Sequence, residues 1–218
     1  MAVLKKGSLD MILKEIKGRV GDFYISQRKG KTVISRMPRK RKKLKLTEQT
    51  SAQRKFRTIS IFSAFVKNIP EISAIWKSSK IPGSPVRQLM KCNSKAVGRD
   101  HPEPGCTITP PGFQFRIMDV ILLEDQIYIS MEDWYQTDPG DQCLMIMSLH
   151  DPVDEKDKPF ELINISPADT VDLEISLNQE QVILAGRYKT FILYTAVYRL
   201  NGNALQWSNT YSVKGEIE

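Results

Sequence analysis

The chain has 218 residues, 41% of them hydrophobic, with 32 Lys and Arg against 25 Asp and Glu and a net charge of +7. That size holds one good domain with an appendage, or two small domains around packed cores. Three cysteines without regular spacing, Cys92, Cys106 and Cys143, exclude a disulfide framework, and no apolar run approaches the roughly 18 residues of a membrane-spanning helix.

The charge is unevenly spread. Residues 1–57 hold 18 Lys and Arg against 4 Asp and Glu, whereas residues 101–218 hold 7 against 19. A chain that is basic at one end and acidic at the other points to an anionic partner for the basic part: nucleic acid, a membrane surface, or the acidic body of a neighbouring copy. The first residues, Met-Ala-Val-Leu-Lys-Lys-Gly, carry no apolar run long enough for a signal peptide, so the expectation is synthesis in a reducing cytoplasm.

In chain order, residues 9–17 read as a short helix or an extended lead-in, closed by Gly18 and Gly21. From Asp22 to Arg36, aromatic and β-branched residues flank Arg28-Lys29-Gly30-Lys31, which predicts a β-hairpin with Gly30 at the tight turn. Pro38 and the cations that follow it predict an extended basic run. Thr47 is the expected N-cap of a helix from Glu48 to about Lys67, with Ala52, Phe56, Ile59, Phe62, Phe65 and Val66 on its apolar face. Pro70 opens a second helix carrying Ile72, Ile75 and Trp76, and Ser84-Pro85 a third with Val86, Leu89 and Met90 inward.

Residues 98–112 are turn chemistry and mark the expected domain boundary. Nine strand-like runs follow: 113–118, 120–123, 126–130, 143–149, 160–165, 170–177, 181–185, 190–200 and 206–213. Turn-rich separators lie between them, among them Asn201-Gly202. The fold class is therefore α+β: a basic hairpin arm (1–46), a helical segment (47–97), a linker (98–112) and an acidic antiparallel β-sandwich of Ig-like kind (113–218). No repeat of about 20–50 residues is present, which excludes a solenoid.

The candidate binding residues are the cations of the basic part: Arg28, Lys29, Lys31, Arg36, Arg39, Lys40, Arg41, Lys42, Lys43, Lys45, Arg54, Lys55 and Arg57. No acidic residue interrupts the stretch from Lys29 to Lys45, the pattern of a segment lying along phosphates or along an acidic protein surface. Phe23, Tyr24 and Phe56 interleave these cations. Stacking on unpaired bases competes with packing in the hairpin and helix, and packing is favoured because Phe56 fits the apolar helix face.

Catalytic constellations fail on spacing. Gly30-Lys31-Thr32 looks like the end of a phosphate-binding loop, but Ile25 stands where its first glycine belongs and a strand follows. Cys92, His101, Cys106 and Cys143 match no zinc-ligand spacing. Only two histidines are present, His101 and His150, and no Gly-x-Ser-x-Gly elbow. Paired carboxylates such as Glu132-Asp133 and Asp154-Glu155 fall in acidic loops. No catalytic residue, metal, cofactor or small-molecule substrate is expected.

Gly18, Gly21, Phe23, Tyr24, Gly30-Lys31, Arg36, Pro38, Thr47 and Gln53-Arg54-Lys55-Phe56, with Trp207-Ser-Asn-Thr-Tyr211 and Gly215, resemble an uncharacterised family. It is a domain of unknown function common in Bacteroidetes and in phage-like settings. The resemblance covers residues 15–66 and 188–215, with a denser basic run and a helix opening one residue shorter. It implies a bacterial or phage setting and no particular activity. The expectation is a non-enzymatic structural or assembly protein, a subunit of a phage virion or bacterial assembly. Its basic arm would grip other subunits, or, on the alternative reading, DNA or RNA.

Overall fold

The computed structural model describes residues 2–3, 18–28, 31–37, 50–114, 117–123, 126–131, 141–165, 168–169, 174–201 and 204–217. The protein is mixed α+β with antiparallel sheets, and it divides into two compact units, Met1–Thr47 and Glu48–Glu218. No described helix is long and apolar enough to cross a membrane.

The first unit is a four-stranded sheet of β1 (Ala2–Val3), β2 (Gly18–Val20), β3 (Phe23–Arg28) and β4 (Lys31–Arg36), in the order β1-β4-β3-β2. The expected hairpin is present: β3 and β4 pair from Phe23↔Arg36 to Arg28↔Lys31. Its turn residues Lys29 and Gly30, the lead-in 9–17 and the run 39–45 lie outside the described residues. A second tight turn joins β2 to β3. Gly21 sits there with φ +57, a left-handed conformation that glycine adopts without steric cost. Ile25, Thr32 and Val33 form the buried part of this small sheet.

The second unit opens with α1 (Ser51–Asn68), α2 (Pro70–Ser78) and α3 (Pro85–Asn93). The N-cap of α1 is Thr50, not Thr47. The backbone N–H of Gln53 donates to Thr50 Oγ1 at 3.3 Å and that of Thr50 to Gln53 Oε1 at 2.9 Å, a reciprocal capping box that Thr47 is not spaced to make. Ile59, Phe62, Ser63 and Val66 recur at i, i+3, i+4 and i+7 and are buried. Ala52 and Phe56, expected on that face, are exposed; the covered side of α1 at this end carries Arg54 and Thr58 instead, bonded to Asp100 and to the Arg99 carbonyl. Ile72, Ile75 and Trp76 of α2 are buried as expected, as is Leu89 of α3.

Two further sheets follow among the described residues. A small sheet contains β5 (Ile117–Leu123), β6 (Gln126–Met131) and β10 (Glu174–Ser176). The main sheet runs β12 (Ala204–Trp207), β11 (Tyr188–Asn201), β7 (Gln142–Pro152), β8 (Phe160–Asn164). To it are added β13 (Tyr211–Glu216) on β11 and β9 (Ala168–Asp169) on β7. The strand expected over 206–213 is broken at Ser208–Thr210 into β12 and β13. The run 181–185 is not a strand but lies within α4 (Gln179–Ala185), set by a second capping box between Asn178 and Gln181.

β7 and β11 are buried on both faces, which explains their nearly unbroken apolar runs. Cys143, Met145, Met147 and Leu149, with Phe191, Leu193 and Val197, share one core with Leu122, Ile127 and Ala185. Leu144 and Ile146, with Ile192, Tyr194 and Ala196, share the other with the three helices. Residues 47–97 are therefore not a separate helical segment. Truncating Phe62 or Trp76 at this shared interface would cost about 3–5 kcal/mol.

Nor is 98–112 a linker. It is a strap bonded along its length to the helices and the main sheet. Trp76 Nε1 donates to Ile108 O at 2.8 Å, and Asn93 exchanges two hydrogen bonds with the Thr107 backbone. Tyr194 Oη donates to Glu103 O, and Thr210 Oγ1 accepts the N–H groups of Ile108 and Thr109. Buried backbone groups must find partners, and here side chains of neighbouring elements supply them.

Candidate functional site

The expected cations fall in three places. Arg28 and Lys31 close the β3–β4 hairpin, and Arg36 ends β4 on the surface. Lys29, Arg39, Lys40, Arg41, Lys42, Lys43 and Lys45 lie outside the described residues. Arg54, Lys55 and Arg57 belong to α1, in the second unit. Arg54 is bound locally: its Nη2 and Nε lie 2.7 and 2.8 Å from Asp100 Oδ1, tying α1 to the strap. Lys55 is half-buried and Arg57 exposed.

Phe23 and Tyr24 do not pack away as expected; they are 49% and 47% exposed, and Phe56 is 64% exposed. The cross-strand register explains what surrounds the first two. Phe23 stands between Val20 on β2 and Arg36 on β4, and Tyr24 between Arg19 and Ser35. Arg19 was not singled out from sequence; only the β2–β3 pairing brings it beside Tyr24. This end of the sheet is thus two back-to-back rows, each with an exposed ring and an arginine.

In the second unit the strap lays His101 on His150 of β7, with ring centroids 4.3 Å apart and planes 19° apart. His150 is fully buried. Among the described residues its Nε2 has no hydrogen-bond partner, and it lies 3.9 Å from Asp151 Oδ2. Burial, reinforced by the neighbouring His101, lowers its pKa, so His150 stays uncharged near neutral pH. Asp151 is a non-glycine residue at φ +57, held by a 2.7 Å hydrogen bond from Thr190 Oγ1, which also lowers its pKa. Stacked, nearly parallel rings do not aim their nitrogen lone pairs at a common point. Among the described residues no group of three or more His, Cys, Asp or Glu is placed to hold a metal ion. Cys106 and Cys143 belong to the cores on opposite faces of the main sheet, so they do not converge with His101 on one centre.

A groove of about 380 Å³ lies beside β12, walled by Pro111, Phe113, Leu205 and Trp207. Arg199 crosses it with its guanidinium 5.0 Å from the Phe113 ring centre and 3.6 Å from Asp141 Oδ1. The lining offers apolar surface and one ion-paired cation, with no nucleophile beside a base. Comparison of the chain with protein-family models, curated proteins and solved structures returns no match.

Proposed function

We propose that this is a non-enzymatic structural or assembly protein, a subunit of a phage virion or bacterial multi-subunit assembly, whose basic first unit grips an acidic neighbour or other polyanion. One observation carries the reading: the first compact unit is strongly basic, whereas the second, taken whole, carries a slight acidic excess. Residues 1–47 hold 15 Lys and Arg against 3 Asp and Glu, and residues 48–218 hold 17 against 22. A small sheet of that charge is suited to binding an anionic partner. Head-to-tail pairing of a basic unit with the acidic unit of the next copy is a heterologous contact, the kind that builds rings and filaments. Leu122 and Ile127 of the small sheet, packed on the main one, support a sandwich reading of the second unit, with the helices as an added layer.

Light scattering on the purified protein tests the reading. Assembly through opposite charges gives a mass that grows with concentration at about 50 mM salt and collapses near 500 mM, where the screening length falls to a few ångströms. A monomer at high concentration in low salt refutes self-assembly. A second reading, sequence-independent binding of DNA or RNA, is favoured by the exposed rings Phe23 and Tyr24 among the cations.

A further inference from the structure

We propose that the turn end of the first unit's sheet, carrying Arg19, Phe23, Tyr24 and Arg36, is a platform for single-stranded nucleic acid. This rests on the reading that the first unit grips a polyanion, and it names the polyanion. Directly opposite residues on neighbouring strands have Cβ atoms about 5 Å apart, so the register Val20↔Phe23↔Arg36 puts a guanidinium within reach of one ring. The register Arg19↔Tyr24↔Ser35 does the same for the other ring, on the opposite face. Arg19 Nε donates to Gly21 O at 3.1 Å, which keeps its head at the turn. The Met37 N–H donates to Asp22 O at 2.7 Å, so the chain leaves the sheet at this same end. The sequence then runs directly into Pro38 and the cations Arg39 to Lys45. Among the described residues of this unit Asp22, in the turn, is the one carboxylate.

Two kinds of group are therefore concentrated at one edge: cations, which any polyanion uses, and half-exposed aromatic faces, which only some can use. An acidic polypeptide gains from the cations alone, since a carboxylate is repelled by the negative face of a ring. A duplex keeps its base faces stacked inside. A single strand wrapped around this end of the sheet presents phosphates to the arginines and free base faces to Phe23 on one face and Tyr24 on the other, and stacking of this sort tolerates any sequence.

The test is fluorescence anisotropy of the whole protein with a labelled oligothymidylate. A duplex of equal length is run in parallel, and polyphosphate and poly-glutamate serve as competitors. The oligonucleotide binds at about 50 mM salt and weakens steeply by about 200 mM. Phe23→Leu and Tyr24→Leu each weaken it about 5- to 100-fold and leave polyphosphate binding unchanged. Arg36→Gln weakens both ligands. Phe23→Tyr and Tyr24→Phe keep a ring and keep the affinity, so the comparison survives if a leucine variant fails to fold. The proposal is overturned if the leucine variants bind the oligonucleotide like the parent, if they lose polyphosphate equally, or if the duplex or poly-glutamate binds as tightly. If no polyanion binds, the reading of the first unit as a grip fails as well. If polyanions bind but the rings are silent, only this inference fails.

Discussion

Gly112→Ala tests the strap and the groove together. A Cβ built on Gly112 would lie 2.0 Å from Trp207 O and 2.8 Å from both the carbonyl carbon and Cδ1 of Trp207, where 3.4 Å or more is ordinary contact. The obstacle is backbone, and it is pinned. Phe113 N–H donates to Trp207 O at 3.0 Å, Asn209 N–H to Phe113 O at 2.8 Å, and Gly112 N–H to Asn209 Oδ1 at 2.8 Å. Making room for one methyl group separates the strap from β12 and breaks these three hydrogen bonds. At about 1 kcal/mol each, that is a loss of about 3 kcal/mol. For a unit of this size it corresponds to a Tm lower by about 6–12 °C. Gly186→Ala is the matched control: at φ −61, its Cβ meets nothing closer than Val182 O at 3.7 Å, so stability rises by about 0.4–1 kcal/mol. Urea and thermal unfolding followed by far-ultraviolet circular dichroism measure both. A Gly112→Ala protein as stable as its parent would show that residues 111–113 do not lie against Trp207.

Two further outcomes follow from the buried groups. The folded pKa of His150 is lowered below its ordinary value of 6.5, so in acid the unfolded chain binds the proton more readily than the folded one. Stability from this group is full above that value and is lost as the pH falls below it. Asp151 acts in the same direction only at lower pH, below the ordinary carboxylate value of 3.8. Urea midpoints should therefore fall between about pH 7 and pH 5, and His150→Leu should flatten that slope; an unchanged slope in the variant would place the dependence elsewhere. The cysteines give a second readout. Cys92 is exposed, while burial pushes the thiols of Cys106 and Cys143 up to about 11 and about 12. A thiol-disulfide exchange reagent should label one cysteine quickly in the native protein and the other two only on unfolding, and three equal rates would contradict the burial.

What could be read from the sequence was local. Pro70 and Ser84-Pro85 announce helix starts because proline at the first helical position acts within one turn. The hairpin around Lys29-Gly30 announces itself through alternation on both sides. The two capping boxes, Thr50 with Gln53 and Asn178 with Gln181, were equally local, and recognising them would have placed the start of α1 correctly and turned 181–185 from strand to helix. By contrast, nothing near Gly98 or Gly112 reports that the segment between them is strapped to Trp76, Asn93, Tyr194 and Thr210, because those partners are distant in sequence. The stacking of His101 on His150 is a product of that strap and carried no signal of its own.

The candidate site divides along the same line. A run of cations is visible as a run, so the basic character of residues 28–45 needed no structure. Whether Phe23 and Tyr24 are core or surface depends on which rows the sheet buries, and that is decided by register. Ile25 and Val33 take the buried positions, and the rows closer to the Gly21 turn stay in solvent. Arg19 and Arg36 lie 17 residues apart in the chain, yet the antiparallel pairing of β2, β3 and β4 sets each of them one strand away from an exposed ring. The excess of cations in the first unit is legible in the sequence, whereas the exposed rings set beside Arg19 and Arg36 follow from the strand register alone.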